Sequence, residues 1–437
     1  MKSTQLLLII GSLVAFSQWT PADGIKANFF DKVGAALKVK RKNYGIVIDA
    51  GSTGSRALVY EFISSRCGDV VKLHKEFFHE TQPGLSDFVT NPEGAARSIQ
   101  KLLLMAKQDI PRRHWAETFV TLMATAGLRL LPQQQQEQLL KCVNKTLVNS
   151  GFRTGPDSVS IIDGQYEGLL SWFSINLLLD TFERRKSYPV AALDMGGAST
   201  QVTFVPFVQD FVPFTQIQFL YNIVAYHKLY TVYSRSFLGL GLNEARLRIL
   251  KLGANRFQTN FRTVCLNPHT KTNWTYRGVT YTVEGKDPSV RGTPITSGIS
   301  ANAVNYRACE DVIQFVILNN FQKIVPPRNQ NIFAFSGYYY TVLEAGIIPP
   351  QGGALFLYEL IINTKQFCFL NNSRMPFLCM DLIYIIVLLR DLYGLSVYDK
   401  IMFVKTIHGH QVNWALAVAF LNLYASANQK KKIIHNF

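Results

Sequence analysis

Apolar runs of strand length, each closed by Gly, Ser, Thr or Asp, mark the N-terminal half of the chain. Tyr44-Gly-Ile-Val-Ile-Asp49 is rich in β-branched residues and predicts a buried strand that opens the folded part, after a lead-in over 25–43. Ala50-Gly51-Ser52-Thr53-Gly54-Ser55 reads as a tight turn, and Arg56 to Phe62 as a second strand. Helical segments follow at about 93–108 and 133–149; between them Thr118 to Ala124 predicts a strand ending in Thr125-Ala126-Gly127-Leu128-Arg129. Ile161-Ile-Asp-Gly-Gln-Tyr-Glu167-Gly168 turns through glycine into a helix that continues to about Leu179.

The opening device then recurs. Pro189-Val-Ala-Ala-Leu-Asp194 is a second buried strand ending in Asp; it enters Met195-Gly196-Gly197-Ala198-Ser199-Thr200 and leaves along Gln201 to Val205. Two copies of strand, Asp, Gly/Ser/Thr turn and strand imply a duplicated α/β architecture with a site between its halves. The later apolar stretches, Met380 to Leu389 and Val412 to Phe420, are too short for membrane spans and read as buried helices. Leu6 to Phe16, behind Lys2, has the length and polarity of a signal-peptide core, so 1–24 is expected to be a signal peptide, with an uncleaved anchor as the alternative.

A length of 437 residues favours two domains, and 48% hydrophobic with 17% charged residues describes a packed globular chain rather than a disordered one. The net charge of +16 favours anionic partners; part of it sits in the runs 38–42 and 430–432, read as solvated linker and tail. Six cysteines behind a secretory address suggest disulfides. Cys368 and Cys379 are close neighbours, and Cys265 and Cys309 bracket one polar insertion, so these two pairs are expected, with Cys67 and Cys142 paired or free. Asn144, Asn273 and Asn371 stand in glycosylation sequons.

The two turns carry the candidate chemistry. Glycines let backbone N–H groups approach phosphate oxygens, and the hydroxyls add donors. An Asp at the strand end would repel phosphate directly. Its task is instead to hold a hydrated divalent cation, Ca²⁺ or Mg²⁺, that bridges to phosphate, and Asp49 and Asp194 supply one such carboxylate from each half. Glu167, in the first turn of its helix, is either an acid placed there by the helix dipole or a general base for attacking water. The chain has no Gly-X4-Gly-Lys-Ser/Thr loop, no His-Glu-X-X-His and no Gly-X-Ser-X-Gly.

Asp49 to Arg56, Ala124 to Arg129, Asp163 to Gly168, Asp194 to Gln201, and Phe333 to Tyr340 are five segments that together resemble the apyrase family of nucleoside triphosphate diphosphohydrolases, in particular its soluble nucleoside-diphosphatase branch. Gln82-Pro-Gly-Leu-Ser86, Ile110 to Trp115 and Pro376 to Leu382 are similar to that branch. The resemblance implies a two-lobed actin/hexokinase-like (ribonuclease H-like) fold. Its first lobe would comprise 44–166 closed by about 405–425, its second 167–404, with 426–437 a basic tail. It also implies Glu167 as the base, Ser199 and Gln201 holding the water, and Thr125 and Arg129 near the site, Thr125 on its phosphate side. Gly51, Ser52, Thr53, Gly54, Gly196, Gly197 and Ala198 would form the phosphate loops, and Tyr339, or its neighbour Tyr338, would stack on the base. The expected substrates are nucleoside diphosphates of the UDP or GDP type, or also triphosphates in a broad apyrase, with no nucleic acid as partner. The location implied is secreted, or the lumen of the endoplasmic reticulum or Golgi. Gln411 and Ala417 depart from the family pattern, which has Glu and Gly there. The competing readings are a kinase of the same superfamily and a secreted nucleotide binder without turnover.

Overall fold

A computed structural model of the chain describes residues 40–65, 71–182, 187–207, 212–226, 228–255, 257–286, 303–370 and 374–423. The expected signal peptide, Cys67, Asn371 and the basic tail lie outside the described residues.

Strands β1 (Lys40–Ala50), β2 (Ser55–Ser65), β3 (Val71–Thr81), β4 (Phe119–Ala124) and β5 (Val159–Ile161) form one sheet in the order β3-β2-β1-β4-β5. β1 begins at Lys40 rather than Tyr44, because β2 is long enough to pair with it from Lys40 opposite Ser65 to Ala50 opposite Ser55. The basic run is therefore strand rather than free linker there: Arg41 pairs with Glu117 at 3.1 Å and Lys42 with Glu61 at 2.9 Å. Helices α1 (Pro92–Asp109) and α2 (Gln133–Val148) cover the sheet, packing Ile99, Leu102, Leu139 and Val143 on Ile46, Ile48 and Leu122.

Helix α3 (Gly164–Leu178) then leads to a second sheet. Its strands are β6 (Ala191–Met195), β7 (Ser199–Phe204), β8 (Leu220–Ala225) and β9 (Lys228–Leu238), joined later by β13 (Ile332–Ser336), β14 (Gly353–Phe356) and β15 (Lys400–Phe403). The order is β14-β15-β13-β6-β7-β9-β8. Within it, β9-β7-β6-β13-β15 repeats β3-β2-β1-β4-β5: an antiparallel hairpin, one antiparallel strand outside it, and parallel strands on the other flank. The duplication read from the sequence is thus present in the pairing, and the α/β fold is two-lobed. A boundary between 166 and 167 falls inside the first turn of α3, which is one continuous helix.

Inserted between β9 and β13 are helix α4 (Leu242–Leu250), the small sheet of β10 (Asn260–Thr263), β11 (Lys271–Tyr276) and β12 (Val279–Gly285), and helix α5 (Tyr306–Leu318). Helix α6 (Gly337–Glu344) follows β13, and α7 (Leu357–Phe369) and α8 (Leu378–Val387) complete the second lobe's core. The helix expected around 380–389 is there, buried along its length. The short pair β16 (Thr406–Ile407) and β17 (His410–Gln411) then turns the chain back, and a last helical segment covers 415–423. There Ala415, Leu416 and Ala419 share a buried cluster with Val47, Leu58, Tyr60 and Trp172. Tyr60 donates to Asn413 Oδ1 at 2.9 Å, and the Ala417 N–H to Ser174 Oγ at 3.0 Å. No helix of the described residues is long and apolar enough to cross a membrane.

Among the described residues the disulfides are Cys265–Cys309 and Cys368–Cys379, both as expected, and Cys142 is free. They close loops separated by 44 and 11 residues. Chain-entropy arguments make the longer loop worth about 1 kcal/mol more than the shorter, within a typical range of roughly 2–5 kcal/mol. Denaturant unfolding of the two paired Cys→Ala variants is expected to show the larger loss for Cys265/Cys309. Equal or reversed losses would mean that native contacts around the bridges outweigh loop closure.

Candidate active site

The two aspartates hold equivalent positions in the two sheets, each on the strand flanked by an antiparallel and a parallel neighbour. Asp49 lies opposite Arg56 on β2 and beside Met123 on β4; Asp194 lies opposite Gln201 on β7 and beside Phe335 on β13. The loops that follow face each other closely: a Cβ placed on Gly197 would sit 2.6 Å from Ser52 Oγ and 3.1 Å from Thr53 Cγ2. Only glycine lets the second loop come this near the first. Gly241 does the same from behind, since a Cβ there would lie 2.3 Å from Ala198 N and 2.4 Å from Ser199 N. Gly51, Ser52, Thr53, Gly54, Gly196, Gly197 and Ala198 therefore form two apposed walls. Thr125 is buried beside the first wall, its N–H bonded to Ala50 O at 3.2 Å.

Helix α3 brings Glu167 between the loops. Asp163 caps it, accepting from Gln165 N at 2.9 Å and Tyr166 N at 3.4 Å. Glu167 stands in the first turn of α3 and is only 7% exposed. Arg129 Nη2 donates to Glu167 Oε2 at 2.6 Å and lies 3.4 Å from Ser199 Oγ. Gln201 Nε2 donates to Ser199 Oγ at 2.9 Å and lies 3.4 Å from Glu167 Oε2. Glu167, Ser199, Gln201 and Arg129 thus form one hydrogen-bonded group.

Three carboxyls converge on this space, and all are held above the usual carboxylate range. Burial pushes Glu167 up to about 8; Arg129 opposes it, while the charges of Asp194 and Asp49 add to it. Burial likewise raises Asp49 to about 6 against the pull of Arg56, 3.8 Å away, and Asp194 raises it further. Asp194 is raised by burial, with the hydroxyls of Ser336 and Ser171 working against that; Ser171 Oγ donates to its Oδ2 at 2.8 Å. Ser336 itself sits at φ 56°, a strained conformation for a non-glycine residue, at the point where β13 meets α6. Asp49 Oδ1 is buried without a hydrogen-bond partner. Two mutually repelling carboxylates, one with an orphaned oxygen, fit a hard divalent cation that completes its shell from water and substrate. Among the described residues there is no cluster of three or more His, Cys, Asp or Glu set to enclose a metal without such help.

Tyr339 does not join the group. It is 1% exposed, with its hydroxyl on the Pro350 carbonyl, and Tyr338 is fully buried against Thr200 and Tyr393. The tyrosine with an open face is Tyr340, 51% exposed, with Lys405 Nζ 5.9 Å from its ring centre. Three tyrosines in a row give no sequence signal for which one a helical turn directs outward. Two further residues escape local reading because only tertiary neighbours reveal them: Ser236, directly opposite Gln201 in the β7–β9 register, and Gly241, packed against Ala198 and Ser199 behind the second loop.

The model of the GDA1/CD39 (nucleoside phosphatase) family matches residues 36–436. The human protein named nucleoside diphosphate phosphatase ENTPD5 is 35% identical over 385 residues, 86% of each chain. Mouse ectonucleoside triphosphate diphosphohydrolase 6 is 32% identical over 98% of this chain and 91% of its own. Among solved structures, a nucleoside triphosphate hydrolase from Neospora caninum shares the fold, with a TM-score of 0.66 at 14% identity over 97% of each chain.

Proposed function

This chain belongs to the GDA1/CD39 (nucleoside phosphatase) family, and on that premise we propose that it hydrolyses nucleoside diphosphates of the UDP or GDP type to the monophosphate and phosphate, using a divalent cation. The observation that carries the proposal is the placing of Glu167, buried between two apposed Gly/Ser/Thr loops and hydrogen-bonded with Arg129 and Gln201.

The loops' N–H groups and hydroxyls cradle the two phosphates. Asp49 and Asp194 hold Ca²⁺ or Mg²⁺, which when bound neutralises the diphosphate and stabilises charge on the leaving oxygen. Ser199 and Gln201 align a water molecule, and Glu167 takes one of its protons as the oxygen attacks the terminal phosphorus. The new P–O bond forms as the anhydride bond breaks, and the electron pair of that bond leaves on the monophosphate. Arg129, at 2.6 Å, keeps the Glu167 carboxylate aimed and favours its charged, basic form. Tyr340 replaces Tyr339 as the residue offered to the nucleobase, since a face must be open to stack.

The likeness to a relative named for nucleoside diphosphates supports the diphosphate preference. Two disulfides suit a secretory compartment, secreted or lumenal, where sugar transfer releases such diphosphates. Phosphate release from matched nucleotides tests the reading. The kcat/KM for UDP or GDP is expected to exceed that for the triphosphate, and chelation to abolish turnover. Equal or faster cleavage of ATP would mark a broad apyrase, and cleavage in chelator would remove the cation from the mechanism.

A further inference from the structure

A stripe of polar side chains runs along the β7–β9 pair beneath helix α3. Ser236 lies directly opposite Gln201, and Ser234 opposite Thr203. The helix reaches them through its two glycines: a Cβ on Gly164 would sit 2.3 Å from Ser236 Oγ, and one on Gly168 would sit 2.7 Å from both Ser234 Oγ and Thr203 Oγ1. The two glycines thus let α3 lie close on this hydroxyl-lined strip.

The Gln201 amide has two N–H bonds and three acceptors in reach. Ser199 Oγ is at 2.9 Å, Ser236 Oγ at 3.0 Å and Glu167 Oε2 at 3.4 Å. The two shorter contacts satisfy both hydrogens. Because the amide is planar, fixing both N–H directions also fixes where Oε1 points, and among the described residues Oε1 has no hydrogen-bond partner. We infer that Ser236 is a positioning residue of the hydrolysis: by accepting from Gln201 it orients the amide so that Oε1 receives one hydrogen of the attacking water while Glu167 takes the other. The inference rests on the hydrolytic reading above and adds to it the residue that sets the water's alignment.

Without the Ser236 hydroxyl, one Gln201 N–H is released next to a carboxylate, the stronger acceptor. The amide then turns toward Glu167 and carries Oε1 off the water. Misalignment of this kind costs about tenfold to a hundredfold in rate. Ser236→Ala is therefore expected to lower kcat by that factor with KM within about twofold, since the hydrogen bond Ser236 makes is to Gln201 and not to a phosphate-loop residue. Ser236→Thr, which keeps the hydroxyl, is expected to recover most of the loss. Ser234→Ala is the control. Ser234 sits on the same face of the same strand and hydrogen-bonds Thr203 Oγ1 and the Gln165 carbonyl at 2.9 Å, not Glu167, Ser199 or Gln201. Its kcat should stay within about twofold of wild type, so a fall confined to Ser236→Ala reports water alignment and not a loosened strand.

Wild-type turnover with an unchanged kcat in Ser236→Ala overturns the inference and leaves the hydrolytic reading standing. So does a loss that appears in KM alone, that Ser236→Thr does not recover, or that Ser234→Ala matches. A wild-type chain that hydrolyses no nucleotide overturns both, because there is then no attacking water to align.

Discussion

Glu167→Gln is expected to lower kcat by about 10²–10⁴ while leaving nucleotide affinity nearly intact. Glutamine preserves the length and the hydrogen-bonding oxygen that Arg129 holds at 2.6 Å, so the loops and the neighbouring Gln201 keep their places. What disappears is the proton acceptor. In the wild type, burial keeps this carboxyl protonated up to about pH 8 in the absence of bound ligands. The base is therefore idle in acid, and kcat/KM should rise with pH as Glu167 ionises; binding of a cation nearby moves that rise to lower pH. The residual activity of Glu167→Gln should lack this acid limb. Steady-state kinetics across pH, with nucleotide binding measured by calorimetry, is the check. A variant that keeps more than about a tenth of wild-type kcat removes Glu167 from the role of base.

Asp49→Asn should separate the cost of holding two carboxylates together from their use. Catalysis is expected to fall at least about a hundredfold in kcat/KM, the scale of losing a metal's stabilisation of a departing oxygen. Stability without metal should move the other way. Asp49 is raised from 3.8 to about 6 in the fold, first by burial and then by Asp194, with Arg56 opposing. A raised carboxyl favours the fold fully below its unfolded value, and that contribution is lost as pH rises through about 6. At pH 7.5 the metal-free wild type therefore carries the whole penalty, which an uncharged Asn removes. The metal-free Tm of Asp49→Asn should equal or exceed that of wild type, while the rise in Tm on adding Ca²⁺ or Mg²⁺ should shrink. Thermal melts with cation and with chelator test both halves. An unchanged cation-induced rise would place the ion elsewhere.

Much of this site is legible along the chain, for a physical reason. Asp49 with Gly51 to Gly54, and Asp194 with Gly196 to Ser199, are each built by one hairpin, so contiguous residues carry the whole arrangement. Glu167 is equally local, placed by the Asp163 cap. What the sequence hides depends on distant neighbours. The phase that turns Tyr340 outward and Tyr339 inward is set by α6 packing on the second lobe's core. The extension of β1 back to Lys40 depends on how far β2 continues beside it, and polar residues at a strand's end give no such signal. Gly241 looks like an ordinary residue before a helix until its approach to Ala198 is seen.

The hydrogen bond from Tyr60 to Asn413 joins residues 353 positions apart. A ribosome adding about 5–20 residues per second needs on the order of 20–70 s to cover that interval. Throughout that time β1 and β2 exist, but the side of the first sheet that carries Val47, Leu58 and Tyr60 still lacks the segment holding Ala415, Leu416 and Ala419. The first lobe to be synthesised is thus the last to be finished. A message cut short before Asn413 would still encode every residue placed at the active site, yet its product would lack the part of that apolar cover held by Ala415, Leu416 and Ala419 and stay open there to chaperones and to self-association.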